Sequence, residues 1–532
     1  MKILTISPIL IVLLISLISI LIYLYKTSEL MNKRKLLIMI ISFVFIFIVF
    51  NIIYYYKYSP PKQKFKLLVF PLITKDDQDL DQKWLLQAIP EIMSQKLYRT
   101  VKDRAIVAPI EWTDKTIKHD SLNDIKYLSS FCERIEFTHY FCGTLSKVNE
   151  KFLLNYKLQL PNQQGISDTI TFSLEQLLPT VESITKMVLG YLSFPEPELI
   201  QPQYSASIAA LNYYMEGYRS FLDSNYALAL EYSSQAISND SSFAEAYSLA
   251  AQSYFAIGVK RRSKDASEAI VAFKKTKYLL TRAMEIDSTD DENYRLWGEY
   301  YIYNERWSPA ELMLNKAFQL NRNNSKLYIS LSNFHNFRYQ KLGFRDIEQL
   351  YNRAIYINPC YEEVYILLSD HYLFQNKRNQ AIQILEKFLD INPNSIAALM
   401  ALSKIYIVRN ERSKIVELLN KIIELAPEHS DAYYNLGILH YNSNDFKNAK
   451  NLFTRAIAID NHLNSYIYLA YISELEGNLD GAIDYLRKRI HFKIGPDDEF
   501  AEEARKHLFK LIQSDSTKRK EMEIKLDANI HP

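Results

Sequence analysis

Glycine is scarce in this chain, with 11 residues in 532. Nucleotide sites that cradle phosphate on backbone N–H groups need clustered glycines, and neither a GxGxxG nor a GxxxxGKS/T pattern occurs. Cysteine is scarcer still. Cys132, Cys142 and Cys360 are too few and too scattered for a zinc cage or a disulfide framework. The ten histidines lie far apart, with no HExxH and no His/Cys cluster, and read as surface or packed residues rather than ligands. Charge of one sign is missing too. The net charge of +2 argues against a general nucleic-acid binder, which carries a basic excess. No paired carboxylates, activated nucleophile or metal spacing rises above chance. The chain is therefore expected to be no enzyme and to hold no cofactor or metal, although a site assembled from distant residues escapes a motif search.

What the chain does have is apolar sequence, 48% of its residues, in a length that suggests three or four domains. Ile3–Tyr25 and Leu36–Tyr56 are apolar runs of about 20 residues, the length that crosses a bilayer as a helix. A cleaved signal peptide is the competing reading of the first, but its run exceeds a signal core and no small-x-small site follows. Residues 1–57 are thus expected to anchor the chain through two transmembrane helices, with the lipid bilayer as one partner. Tyr54, Tyr55 and Tyr56 close the second span as an interfacial belt would. Lys26, Lys33, Arg34 and Lys35 against Glu29 favour a cytoplasmic loop and a body facing the periplasm or exterior. Lys57, Lys62, Lys64 and Lys66 pull the other way, and Met31 is a second candidate start.

After the spacer Ser59-Pro60-Pro61, residues 58–199 read as a small α/β domain. Strands are expected at Lys66–Pro71, Ala105–Pro109, Thr138–Val148, Lys151–Leu160 and Asp168–Phe172, and helices at Trp84–Tyr98, Asp124–Ile135 and Leu178–Leu192. The clean alternation of Phe152, Leu154, Tyr156, Leu158 and Leu160 marks a strand with one buried face. The strand KLLVFP, the helix KWLLQAIPEIMSQKL and the run THYFCGTLSKVNEKFLLNYKLQL, with Gly143 at a strand glycine, resemble the TolB-like (FlgO/CsgG-like) amino-terminal domain of bacterial envelope proteins. That resemblance implies a domain linking a membrane span to repeats. Relatives often carry a kinase, cyclase or winged-helix effector before the span, and here signalling is expected to pass to another chain. Cys132 and Cys142 could pair in an oxidising compartment, but buried free thiols suit an apolar strand better.

Pro359, Pro393, Pro427 and Asn461 follow one another at intervals of 34 residues. Inside the last interval, small, aliphatic or aromatic residues fall at Leu436, Gly437, Ala449, Phe453 and Ala456, and the unit ending at Pro393 holds Ser369, Ala381 and Leu385 at matching offsets. Small residues there let two antiparallel helices approach closely. Period and offsets resemble the tetratricopeptide repeat, which implies a mainly α chain built on an α-solenoid. About eight units are expected over residues 200–496, the second and fourth lengthened, then a capping helix at Glu499–Gln513 and a polar tail within 497–532.

In such a solenoid the first helices line a groove. By register its inward set is Tyr214, Tyr218, Phe221, Arg295, Glu299, Tyr303, Asp370, Phe374, Lys404, Tyr434, Asn435 and Tyr441, a tyrosine-rich surface of mixed charge suited to an extended peptide. Many of these residues could equally be packing or ordinary surface. Glu299 stands where a carboxylate clamp would place its first Asn after Arg295, so an acidic C-terminal tail is not the expected ligand. Tyr434 and Tyr441 are expected to project away from the partner helix. The leading reading is a membrane-anchored scaffold of the cell envelope that binds proteins or peptides in its groove. The alternative is a sensor that relays a signal to a separate cytoplasmic kinase or regulator. The topology makes a first prediction. A C-terminal alkaline phosphatase fusion should be active and a β-galactosidase fusion inactive, and the reverse pair would place the body in the cytoplasm.

Overall fold

A computed structural model describes residues 65–74, 82–108, 116, 117, 119–161, 165–192, 194, 205, 207–262, 266–492 and 498–514. Apart from Lys341–Gly343, the described residues belong to one compact unit. The two expected spans, Ile3–Tyr25 and Leu36–Tyr56, lie outside the described residues. Among the described residues, no helix is long and apolar enough to cross a membrane.

The chain first builds a five-stranded sheet. Its elements are β1 (Lys66–Val69), α1 (Leu85–Val101), β2 (Ile106–Ala108), α2 (Ile125–Arg134), β3 (His139–Val148), β4 (Lys151–Gln159), β5 (Ile166–Phe172) and α3 (Leu177–Tyr191). Strand order is β2-β1-β3-β4-β5. The inner strand β1 is parallel to both neighbours, Leu67 pairing with Val107 and with His139. All four residues of β1 are buried, as a strand covered on both faces requires. β3, β4 and β5 continue as an antiparallel meander. The β3–β4 turn is Asn149-Glu150, with Asn149 at φ 57°, a left-handed conformation that asparagine tolerates. Along β4, Phe152, Leu154, Tyr156 and Leu158 are buried and the residues between them are not. Their face packs into one apolar cluster with Leu85, Ile89, Ile92 and Met93 of α1 and Val181, Ile184 and Val188 of α3.

Pro90 sits inside α1 and supplies no N–H to the carbonyl of Leu86 four residues earlier. That carbonyl accepts instead from the Leu72 backbone N–H at 2.9 Å. The proline thus frees an acceptor that ties the chain leaving β1 to the helix.

Eight helix pairs follow. They are α4 (Ile208–Leu222) with α5 (Tyr226–Asn239), α6 (Ala244–Arg261) with α7 (Ala266–Ile286), α8 (Asp291–Tyr303) with α9 (Trp307–Leu320), and α10 (Ser325–Ser332) with α11 (Ile347–Ile357). Then come α12 (Glu362–Phe374) with α13 (Arg378–Ile391), α14 (Ile396–Arg409) with α15 (Arg412–Leu425), α16 (Ser430–Tyr441) with α17 (Phe446–Asp460), and α18 (Ser465–Leu475) with α19 (Leu479–His491). They are units 1 to 8 below. Close approach within a pair depends on small residues. A Cβ on Gly437 would stand 2.7 Å from the Phe453 ring, which is itself fully buried. The extra length of unit 2 lies in both its helices, α6 of 18 residues and α7 of 21. α20 (Glu499–Ser514) closes the stack by packing Ala504 and Leu511 against Ala470, Ala482 and Leu486. Arg489, completely buried, locks that end with two bonds to Asp498 at 2.7 and 2.9 Å.

The sheet and the solenoid share a core. The cluster that joins α1, α3 and β4 continues into Leu211, Tyr214 and Met215 of α4, Phe243, and Ala246 and Leu249 of α6. The α/β part is therefore packed directly on the repeats.

The solenoid register can be tested at α17. Ala449 is fully buried and its N–H donates to the Asp445 carbonyl at 3.0 Å. Ala449→Pro removes that bond and drives the ring against the same carbonyl, at a cost of about 3 kcal/mol or more. The urea midpoint should drop accordingly, and an unchanged midpoint would place Ala449 outside the helix.

Candidate functional site: a groove half occupied by the α/β domain

The inner face of the solenoid is made by the first helices of successive units, and α1 lies on its first half. A cavity of about 130 Å³ between them is lined by Glu91, Gln95, Tyr98 and Arg99 of α1, and by residues of α4, α6, α8 and α10. Arg99 holds the contact together. Its guanidinium reaches Asp287 at 2.5 Å, Glu245 at 3.3 Å and Asp290 at 3.6 Å, with side chains about nine-tenths buried. Next to it the Tyr98 hydroxyl donates to Asp291 at 3.3 Å. Asp290 caps α8 by accepting from the Glu292 N–H, and Asp291 and Glu292 fill the first turn, where the helix dipole favours negative charge.

Further bonds extend the contact. Asn323 donates to the backbone carbonyls of Lys102 and Ala105 at 2.9 and 2.8 Å, closing the end of α1. The Lys66 ammonium donates to the Tyr356 carbonyl at 3.2 Å and sits 4.0 Å from the centre of the Tyr356 ring. Arg134 of α2 donates to the Asp390 carbonyl at 3.1 Å. The α/β part is thus fastened to units 2 through 5.

The acids in this contact fall into two groups. Burial pushes the Glu245 carboxyl up to about 7, against the opposing pull of Arg99. Burial, with Asp290 beside it, does the same for Asp291, also to about 7. Burial would raise Glu292 as well, but the charge and hydrogen bonds of Arg295 hold it down to about 2. Burial likewise opposes the charge of Asp287, yet Arg99 and Thr289 keep its carboxyl below the ordinary value.

The twelve residues expected in the groove separate on this frame. Tyr214 and Tyr218 line the cavity under α1, their rings stacked 6.1 Å apart. Phe221 packs on Tyr226. Arg295 is buried, bound to Glu292 at 2.6 Å and Glu299 at 2.5 Å, and Glu299 also accepts from Ser330. Tyr303 lies against Phe255 and Phe273. These six are engaged within the fold.

The other six lie on units 5 to 7. Phe374 is 92% exposed, and Asp370 and Lys404 are exposed, with Lys404 lining a second cavity of about 720 Å³. That cavity runs past Glu363, Ala397 and Asp431, and Thr116 of the α/β part and Leu222 of unit 1 line it as well. Asn435 is half-buried. Tyr434 and Tyr441 do not project away from their neighbours. Tyr434 packs on Phe453, His462 and Tyr468, and Tyr441 on Phe446 and Tyr468. Replacing either by Ala removes core contacts, because each ring fills the step between adjacent helices.

Sequence reading did not find Glu91, Tyr98, Arg99, Glu245 or the run Asp287–Glu292 as a site. The acid-rich run IDSTDDEN (286–293) was the available signal. All three cysteines are free, with Cys132 and Cys360 buried. Burial raises the Cys132 thiol, and Cys360 and Cys142 are near enough to add to the effect.

The cluster makes a pH prediction. Glu245 and Asp291 bind protons in the fold that the unfolded chain has already released above its ordinary carboxyl values of 4.5 and 3.8. Their contribution to stability is present at low pH and lost as pH rises through about 7. The stability of the parent relative to Glu245→Gln should therefore fall between pH 4.5 and 7, by up to about 3 kcal/mol, measured by urea denaturation. A flat or rising difference would mean the Glu245 carboxylate is stabilised there.

Family models for the tetratricopeptide repeat match residues 362–395 and 430–463. No curated protein matches the chain in sequence. Among solved structures, that of yeast Tom70 is similar at 15% identity and a TM-score of 0.44, covering 84% of this chain and 86% of that one. The human IFIT1 dimer with m7Gppp-AAAA is similar at 15% identity and a TM-score of 0.38, covering 59% and 77%. YrrB, a repeat protein with an unusual peptide-binding site, is similar at 17% identity and a TM-score of 0.26, covering 35% and 95%. The two matched segments, 68 residues apart at their starts, coincide with units 5 and 7: this chain contains tetratricopeptide repeats.

Proposed function

We propose that this chain is a non-catalytic interaction scaffold, and that its protein partner lies along the inner face of units 5 to 8. One observation carries the reading. The inner face of the first units is taken by α1, whereas the C-terminal ends of the later first helices leave large apolar side chains in solvent. Phe374 is 92% exposed, Val408 66% and Leu475 62%. An exposed apolar row beside polar residues marks an interaction surface. Its other edge, with Glu363, Lys404 and Asp431 on the 720 Å³ cavity, supplies charges of both signs. The partner that fits is a peptide segment with apolar side chains along one edge.

The scaffold is proposed to sit at a membrane of the bacterial cell envelope, with its body turned away from the cytoplasm. The support is the two apolar runs, the Lys26–Lys35 loop and the TolB-like resemblance of residues 58–199. The sensor reading keeps one specific argument. Because the α/β part and units 1 and 2 share a core, a ligand on either would be felt by both.

A photoreactive residue at position 374 of the full-length chain should trap a partner in native membranes, and one at Tyr278, exposed on α7, should not. The pair Phe374→Asp and Val408→Asp should then abolish trapping from position 404 while leaving the melting temperature unchanged, since both side chains contribute little to the core. Equal trapping at 278, or trapping that survives the double substitution, would remove units 5 to 8 as the binding face.

A further inference from the structure

We propose that the outer face of α7 rests on the surface of an anionic lipid bilayer. The inner groove takes no part in this contact, so the inference goes beyond the scaffold reading.

Length sets α7 apart first. It has 21 residues, whereas the second helices of the other seven units have 11 to 15. The excess lies at its start. Ala283 and Ala317 hold the same place in α7 and α9, each buried and each accepting the N–H that closes its helix, at 2.8 and 2.9 Å. α9 begins at Trp307, ten residues before Ala317, but α7 begins at Ala266, 17 before Ala283. The added residues carry α7 about 10 Å further. The end of α6 runs out beside it, where Arg261 meets Glu268 at 3.3 Å.

The two sides of α7 differ. Ala269, Phe273, Thr276, Leu280 and Ala283 are buried on one of them. The other stands in solvent, with Ile270 55% exposed, Val271 53% and Tyr278 64%. At about 100° per residue these three fall within one arc of about 100°, with Lys274 inside it and Lys275 and Lys277 at its two margins. Among the described residues 17 large hydrophobic side chains are exposed, and four of them, Val259, Ile270, Val271 and Tyr278, fall within 20 residues. Single exposed apolar residues are ordinary, but a cluster of this kind marks a contact surface.

Charge names the occupant. Residues 260–285 hold eight Lys or Arg and three Asp or Glu, a net of +5 in a chain of +2. The rest of the sequence is therefore negative, and the positive charge is concentrated in this segment. The carboxylates of α7 are already matched, Glu268 by Arg261 at 3.3 Å and Glu285 by Arg282 at 2.6 Å. Lys275 donates to the Tyr254 hydroxyl at 2.9 Å, a neutral partner. Lys274 and Lys277 make no ion pair among the described residues. Three ammonium groups thus border an apolar strip with no counter-charge from the chain. A helix lying in a membrane interface has this composition: its aliphatic side chains reach the acyl boundary and its lysines extend to the lipid phosphates. A nucleic acid would match the charge but leave Ile270 and Val271 in water. Neither cavity described above is lined by α7, as suits a broad surface rather than a small ligand.

The test uses the full-length chain with an environment-sensitive fluorescent amino acid at position 271, or at 509 as the control. Phe509 is 53% exposed on α20, at the far end of the stack. Each protein is reconstituted in vesicles of phosphatidylcholine alone or with about one-third phosphatidylglycerol, which makes the surface potential negative. Emission from 271 should shift to the blue in anionic vesicles only, and brominated acyl chains should quench it there. Emission from 509 should do neither, which separates docking of α7 from mere tethering by the apolar amino-terminal runs. Lys274→Gln and Lys277→Gln should each weaken the docked state about fivefold, the contribution of one lysine near an anionic leaflet. Both side chains stand in solvent, and the comparison of the two vesicle types needs no lysine variant. The proposal is overturned if 271 is not quenched in anionic vesicles, if it is quenched equally in neutral ones, if 509 is quenched as strongly, if the signal survives the double substitution, or if single-stranded RNA shifts the 271 emission without vesicles.

Discussion

Arg99 is the residue on which the arrangement of this protein depends. It lies on the α/β part, yet its guanidinium is surrounded by carboxylates from two later repeats, Glu245 and Asp287 of unit 2 and Asp290 at the start of unit 3. A buried charge with one good partner roughly breaks even against its desolvation. Three partners change that balance, and Arg99 stays charged despite its burial. Apolar packing of Leu211, Met215 and Leu249 supplies the non-directional part of the attraction. The ion cluster supplies the register, because only one placement of α1 puts Arg99 among those acids.

The consequence is a groove with two halves of different character. Over units 1 to 4 the inner face is satisfied from within the chain, by α1 and by the carbonyls that Asn323 collects from Lys102 and Ala105. Over units 5 to 8 it keeps apolar side chains at its edge. The first half holds a small acidic cavity, whereas the second holds a larger one with charges of both signs. Their common boundary is near Lys326, which lines both cavities.

Local structure was legible in the sequence, and tertiary docking was not. The βαβαβββα order and its boundaries follow from alternation in β4, the apolar run of β1 and turn residues, all of which act over a few positions. The helix pairs follow from the 34-residue spacing. A second periodic signal runs beside it. Asn376, Asn410 and Asn444 recur at the same interval, each at φ between 57° and 60° in the turn joining the two helices of a unit. The packing of α1 on the repeats depends on contacts across 146 and 188 residues, for which sequence offers no period. The groove residues divide the same way. Register identified the inner face, but it could not tell that Arg295 would be consumed by Glu292 and Glu299, or that Tyr434 would be absorbed by Phe453 and Tyr468.

The most direct test of this account is a double-mutant cycle between Arg99 and Asp287, which lie 188 residues apart in sequence and 2.5 Å apart in the fold. Urea denaturation of the parent, Arg99→Ala, Asp287→Ala and the double variant gives their coupling. If α1 occupies the groove, the two single losses should exceed the double loss by about 1–3 kcal/mol. A coupling indistinguishable from zero would mean that the α/β part does not rest on the repeats in solution, and both halves of the groove would then be open.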